Sequence, residues 1–347
     1  MRPSLGVLLF SDYTLAELTE LGRLSEGLGY RFFWYTDVRF TRECYLGLAA
    51  VASVTQRVLL GTGVTDPYSR HPAITAASIA TLDELCHGRA VLGLGTGGAG
   101  FREIGLERKL PVAAMRETVE MVRRLLRGEK VTSQGKVVSV SDGKLNFKPV
   151  RDTIPVYFAT HGAQITRLAG LVADGVLIAN TLNPAAFGFY LGQLDEGMTK
   201  AGRGPETLDI GLRVEACIAD DDEAAFAVMR RRVATRVMQQ HPHWEYLDEI
   251  GISLPEEFVA IAANKDRNPE DVQRATTLLP AAVVESMVLA GNVERCAEQL
   301  ARGLNPRITQ ISVRPHAVAG QNVADVIRAF AEQVVPRALQ LRESVTA

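Results

Sequence analysis

Aromatic residues are scarce in this chain, cysteines are few and charge of either sign is nearly balanced. Only 6% of its 347 residues are Phe, Trp or Tyr, and 4 are Cys. Cys44, Cys86, Cys217 and Cys296 stand far apart, with no CxxC pair among them. That spacing gives no support to a zinc site, a thioredoxin-like centre or a disulfide framework, and it fits reduced thiols in a cytoplasmic protein. The formal net charge is −2, so neither a nucleic acid nor an anionic membrane is expected as a partner. Long apolar runs are missing: Leu46 to Val54 is far short of a membrane span. The short run Gly6–Phe10 is followed by Asp12, Glu17 and Glu20, unlike a signal peptide. With 30 Gly and 15 Pro spread without period, collagen-like and low-complexity chains are excluded. The chain is 47% hydrophobic, which is too much for disorder and enough for a sizeable core.

The dominant pattern is alternation of short branched-apolar runs with longer amphipathic ones. Eight runs read as strands: Leu5–Phe10, Phe32–Thr36, Val58–Val64, Ala90–Gly95, Ile154–Thr160, Gly175–Ala179, Ile210–Ile218 and Thr309–Arg314. Most are continuously apolar, as strands covered on both faces should be. Helices are expected over 14–28, over 72–86 with Pro72 at its first position, and through Met115, Val119, Val122 and Leu126. Ile74, Ala77, Leu82 and Leu85 fall on one stripe, as do Val323, Ile327, Phe330, Val334 and Leu341. This order predicts an α/β fold, a (β/α)8 TIM barrel occupying 1–347 as one domain, with a doubly wound open sheet as the alternative. Two insertions interrupt it. A hairpin near 137–148 is expected to turn at Ser141-Asp142-Gly143, and 241–280 is expected to act as a lid after the seventh strand.

In a barrel, chemistry belongs at the C-terminal ends of strands. Those ends here are rich in small and hydroxyl residues and poor in ionisable ones, which suits a flat cofactor against backbone and poorly suits a metal site. Gly93-Leu94-Gly95-Thr96-Gly97-Gly98 matches GxGxxG, but Pro111 precedes the next helix and no acidic residue closes a following strand. A glycine-rich loop that lets a planar ring approach backbone is the better reading than a dinucleotide turn. Thr160-His161-Gly162-Ala163-Gln164 meets the next helix, either as a phosphate loop or as an ordinary βα turn. Asp37 faces the mouth, as a proton-transfer or hydrogen-bonding carboxylate or as a turn aspartate. His241-Pro242-His243 reads as a solvated loop rather than a metal site. Arg314 and His316 close the last strand, where an anionic tail of a ligand could meet them. Trp34 and Trp244 read as core or lid residues.

The segment Leu60-Gly61-Thr62-Gly63-Val64-Thr65-Asp66-Pro67-Tyr68-Ser69-Arg70-His71-Pro72 and its continuation from Ala80 to Gly95 resemble the bacterial luciferase-like superfamily of flavin and deazaflavin oxidoreductases. The nearest likeness is to its methylenetetrahydromethanopterin reductase branch. Ile154-Pro155-Val156-Tyr157, Leu168-Ala169-Gly170 and Ala173-Asp174-Gly175 extend the resemblance. It implies a barrel, usually homodimeric, that holds a ring of coenzyme F420 or FMN at its strand ends. It implies a bulge with a non-prolyl cis peptide at Gly63-Val64 behind that ring. It places Asp37, Thr65, Thr96 and Gly97 at the ring or its polar edge, Thr160, His161 and Gly162 at phosphate, and Ala179 and Asn180 beside them. Asp37 is followed by Val38-Arg39-Phe40, where the sugar-phosphate dehydrogenase branch has a catalytic histidine. That departure favours direct hydride transfer between the reduced cofactor and a small organic acceptor, with Asp37 as the catalytic candidate. The alternatives are an FMN-dependent monooxygenase served by a separate flavin reductase, and a noncatalytic flavin-binding protein.

Overall fold

Apolar runs too short to be helices become parallel strands when both of their faces are buried, and each of the eight expected runs does so here. The computed structural model describes residues 2–346 except Ala99, Asn180 and Lys265. Its strands are β1 (Ser4–Leu9), β2 (Phe32–Tyr35), β3 (Leu59–Thr62), β4 (Ala90–Leu94), β5 (Val131–Gln134), β6 (Ser139–Gly143), β7 (Val156–Thr160), β8 (Gly175–Ala179), β9 (Asp209–Ile218), β10 (Val288–Gly291) and β11 (Gln310–His316). The order in the large sheet is β10-β9-β11-β1-β2-β3-β4-β7-β8, with a further pairing of β9 to β8. β1 to β4, β7, β8, β9 and β11 are thus the eight strands of a (β/α)8 barrel, and β10 lies beside the C-terminal half of β9.

The chain divides into two compact units, Met1–Leu177 with Gln193–Gly211, and Ile178–Gly192 with Leu212–Ala347. In the first unit the strands run in step, Phe32 beside Gly6 on one side and beside Leu59 on the other. Leu8, Phe32, Trp34, Val91, Tyr157 and Leu177 form one buried cluster, in which Phe32 and Trp34 stack at 5.6 Å. Trp34 is therefore a core residue. A Cβ on Gly61 would lie 2.4 Å from the Trp34 ring. A smaller side chain at 34 would leave a cavity there, which typically costs about 3–5 kcal/mol for a tryptophan.

Helix Pro72–Leu85 starts at its proline, with the His71 side chain accepting from Ala73 N. Its buried face is Thr75, Ala76, Ile79, Ala80, Leu82 and Asp83, whereas Ile74 and Leu85 are exposed. The stripe read from the sequence is corrected in part: Leu82 is buried as expected, but Ile74 and Leu85 are not, and Thr75, Ala76, Ile79 and Ala80 join the buried face. Asp83 is buried, and Arg151 clamps it with two guanidinium bonds of 2.9 and 2.5 Å. The hairpin is also displaced from the expected 137–148. β5 and β6 pair antiparallel around residues 135–138, and Asp142-Gly143 lies in β6 rather than at the turn. Glu117 decides this: its carboxylate accepts from the backbone N–H groups of Lys136, Val137 and Val138 and so fixes the turn there.

In the second unit, β10 pairs parallel with β9, Val288 beside Glu215 and Gly291 beside Ile218. Helix Asp222–Gln240 is capped by the Asp221 side chain and buries Ala225, Met229, Val233, Ala234, Val237 and Met238. Within 241–280 lie the helices Glu245–Asp248, Glu256–Ala263 and Pro269–Leu278. Trp244 is anchored there by its Nε1 to Val237 O. The last helical stretch is interrupted by a π-turn at Phe330–Val334, and it buries Ile327, Phe330 and Val334 while Leu341 is exposed. All four cysteines are free and buried. Among the described residues, no helix is long and apolar enough to cross a membrane.

Candidate active site

Asp37 stands two residues past the end of β2, with its side chain 17% exposed. Arg70 donates to it from Nε at 3.3 Å and to Glu43 from Nη2 at 2.7 Å, while its guanidinium lies 4.9 Å over the Tyr45 ring. Glu43 also caps helix Cys44–Ala52 at Leu46 N. Burial opposes the Arg70 charge, but Asp37 and Glu43 outweigh it and raise its affinity for the proton. Burial, with the charges of Asp37 and Glu43 added, drives the Cys44 thiol well above its ordinary value, so Cys44 is inert. An aspartate in an ion pair is an acceptor of hydrogen bonds. Arg70 is not among the candidate site residues read from the sequence; its contact with Asp37 makes it part of this site.

The Gly63–Val64 peptide is cis. Val64 then turns toward β4, where a Cβ on Gly95 would meet its Cγ2 at 2.6 Å. Thr65 runs alongside β4, with its N–H on Gly93 O at 3.0 Å and its carbonyl accepting from Gly95 N at 3.0 Å. At Gly93 an added Cβ would fall 1.9 Å from Thr62 O, so only glycine allows this backbone approach. The bulge residues and the glycines of β4 are thus one packed unit.

Past β4 the chain wraps over an ion pair. Arg39 donates to Asp66 at 2.5 Å, with side chains 8% and 1% exposed, and covers the Phe101 ring at 4.1 Å. Gly97 has φ +78, and a Cβ there would lie 2.4 Å from Phe101. Arg108 donates to Gly97 O at 3.2 Å. Asp66 also accepts from Tyr68 N, Ser69 N and Ser69 Oγ. This framework fixes the loop that carries Thr96 and Gly97, both half-buried.

Thr160 ends β7, His161 and Gly162 follow it, and Gly162 is the N-cap of helix Ala163–Val172. A Cβ on Gly162 would meet nothing within 4 Å. Ala179 ends β8 and is half-buried. Asn180 lies outside the described residues.

Two features bear on whether these residues fit a ring cofactor with a phosphate tail. The Oγ1 atoms of Thr65 and Thr160 are buried and have no hydrogen-bond partner among the described residues. An unpaired buried hydroxyl costs about 1–3 kcal/mol, so such atoms cluster where a ligand completes them. The glycine-lined end of β4 and the open space at Gly162 supply the cradle. The donor set fits the group. Among the described residues, no cluster of His, Cys, Asp or Glu could hold a metal ion.

A (β/α)8 barrel with glycines and buried threonine hydroxyls at its strand ends is the architecture of a cofactor-using enzyme. The chain belongs to the luciferase-like monooxygenase family, whose family model matches residues 5–310. It is similar to 5,10-methylenetetrahydromethanopterin reductase of Methanolobus tindarius, at 37% identity over 223 residues, 64% of this chain and 67% of that protein. It is also similar to 5,10-methylenetetrahydromethanopterin reductase of Methanopyrus kandleri, at 29% identity over 351 residues, 96% of this chain and 98% of that protein. The solved coenzyme F420 dependent tetrahydromethanopterin reductase from Methanopyrus kandleri matches with a TM-score of 0.83 at 26% identity, covering 97% of this chain and 99% of that one.

Proposed function

We propose that this chain is an F420-dependent oxidoreductase that moves hydride between the deazaflavin and a small organic acceptor of the methylenetetrahydromethanopterin kind. The observation that carries the reading is its likeness, over nearly the whole of both chains, to F420-dependent reductases. When bound, reduced F420 supplies hydride from C5 of its ring. The chain's own residues bind and orient. The Gly63-Val64 bulge and Thr65 back the ring, Thr96 and Gly97 meet its edge, and Thr160, His161 and Gly162 take phosphate at a helix N-terminus. Asp37, ion-paired with Arg70, is the hydrogen-bond acceptor that this reading places at the reacting centre. The test is anaerobic oxidation of reduced F420 with a panel of pterin, imine and enone acceptors. Turnover with one class names the substrate class, and no turnover with any of them overturns the reading.

The same proposal includes a homodimer in the cytoplasm. Phe40, Leu46 and Ile74 are 75%, 65% and 56% exposed, which a second copy would cover. Leu46→Glu with Ile74→Glu is expected to halve the mass seen by light scattering; an unchanged mass would place the interface elsewhere.

A further inference from the structure

The second unit holds a carboxylate that the hydride-transfer reading does not use. Glu215, on β9, is fully buried, with side-chain exposure of 0%. Arg232 donates to it from Nε at 2.6 Å and His316 from Nε2 at 2.9 Å. Arg213, Arg236 and Arg314 each bring a guanidinium nitrogen to 3.8 Å, close enough for attraction but too far for a hydrogen bond. Arg213 and Glu215 are two apart on β9, Arg314 and His316 two apart on β11, and Arg232 and Arg236 one turn apart on helix Asp222–Gln240. The spacing puts each pair on one face of its element.

At Glu215 one carboxylate faces four guanidinium groups. Arginine does not escape by losing its proton. Burial, joined by the neighbouring Arg236, disfavours the Arg213 charge, and Glu215 only partly relieves it. The Nε and Nη2 atoms of Arg213 and the Nε of Arg236 are out of solvent and have no hydrogen-bond partner among the described residues. The side chains of Arg213, Arg236 and Arg314 keep 13%, 17% and 13% of their surface exposed.

We propose that Arg213, Arg232, Arg236 and Arg314 form a binding site for an oxyanion group, a carboxylate or a phosphate, carried by a small-molecule ligand. Guanidinium forks match both groups in geometry and charge. Glu215 on β9 and Arg314 and His316 on β11 lie in the C-terminal halves of their strands, toward the ends at which barrel enzymes hold their ligands. Glu215 and His316 position the arginines. Glu215 keeps four like charges together when the anion is absent, and it weakens the site by its own charge.

The full chain without cofactor is titrated with inorganic phosphate and, separately, with succinate, following heat of binding and unfolding temperature at ionic strength held constant with chloride. Saturable binding of at least one is expected. Phosphate alone assigns a phosphate group, and succinate alone a carboxylate. Arg213→Met and Arg236→Met should each weaken binding at least tenfold. Arg274→Met should leave it unchanged, because that guanidinium is exposed and paired with Glu257. Glu215→Gln should tighten binding several-fold, an effect that a merely structural cluster would not give. No saturable binding to the folded wild-type chain, equal stabilisation by chloride, or Met variants that bind as tightly as wild type would overturn the proposal.

Discussion

Thr160→Val separates what one atom does for folding from what it does for binding. The Thr160 hydroxyl is buried at the end of β7 and has no partner among the described residues. Valine keeps the branched shape that a strand favours and replaces the hydroxyl with a methyl group. Without cofactor, removal of an unpaired buried hydroxyl should stabilise the chain by about 1 kcal/mol, the lower part of the usual 1–3 kcal/mol penalty. At roughly 2.1 cal/mol/K of unfolding entropy per residue over 347 residues, that is a rise of about 1–2 °C in unfolding temperature. Binding should move the other way. A hydrogen bond to a charged group is worth about 1.5–3 kcal/mol, so affinity for F420 should fall by about 10- to 100-fold. Thermal unfolding of the cofactor-free chain gives the first quantity, and a fluorescence titration with F420 gives the second. A lower unfolding temperature with unchanged affinity would refute the reasoning, because the hydroxyl would then have its partner within the protein.

Gly97→Ala should destabilise by about 2–3 kcal/mol, since an alanine at φ +78 is strained and its Cβ would lie 2.4 Å from Phe101; a urea midpoint equal to wild type would contradict that. At Glu215 burial alone would raise the pKa, but Arg314, the His316 hydrogen bond, Arg232 and Arg213 outweigh it and hold it well below the ordinary carboxylate range. A depressed folded-state pKa stabilises above the unfolded value of about 4.3, and that contribution is lost as pH falls through the lowered value. Urea unfolding as a function of pH should therefore show wild type losing stability more steeply than Glu215→Gln below about pH 4. Parallel curves would show that Glu215 does not titrate with unfolding.

The barrel is legible in the sequence because buried parallel strands are continuous apolar runs, and Phe32–Tyr35 or Ala90–Leu94 can be little else. What failed is local chemistry set from a distance. Ser141-Asp142-Gly143 has the composition of a turn, yet Glu117, on a preceding helix, places the turn at 135–138 through three backbone N–H groups. In helix Pro72–Leu85 the buried face mixes Ile79 and Leu82 with Thr75, Ala76 and Ala80, and a stripe drawn through the large residues alone misplaces Ile74 and Leu85. The site divides in the same way. Gly63, Val64 and Thr65 enter as candidates through the family resemblance, and Gly97 and Gly162 also through the glycine-rich strand ends in which they lie. The pairing of Asp37 with Arg70 spans 33 residues and that of Glu215 with His316 spans 101, and neither spacing carries a signal. A signal for the arginine cluster was present in Arg213-Val214-Glu215, two charges on one face inside an otherwise apolar strand.

The central claim is that this barrel uses a deazaflavin. Purified protein titrated with coenzyme F420 and, separately, with FMN, following ring fluorescence, tests it most directly. The account predicts saturable micromolar binding of F420 and markedly weaker binding of FMN. Tight FMN binding with no response to F420, in protein whose circular dichroism shows it folded, would contradict the account and favour a flavin-dependent monooxygenase.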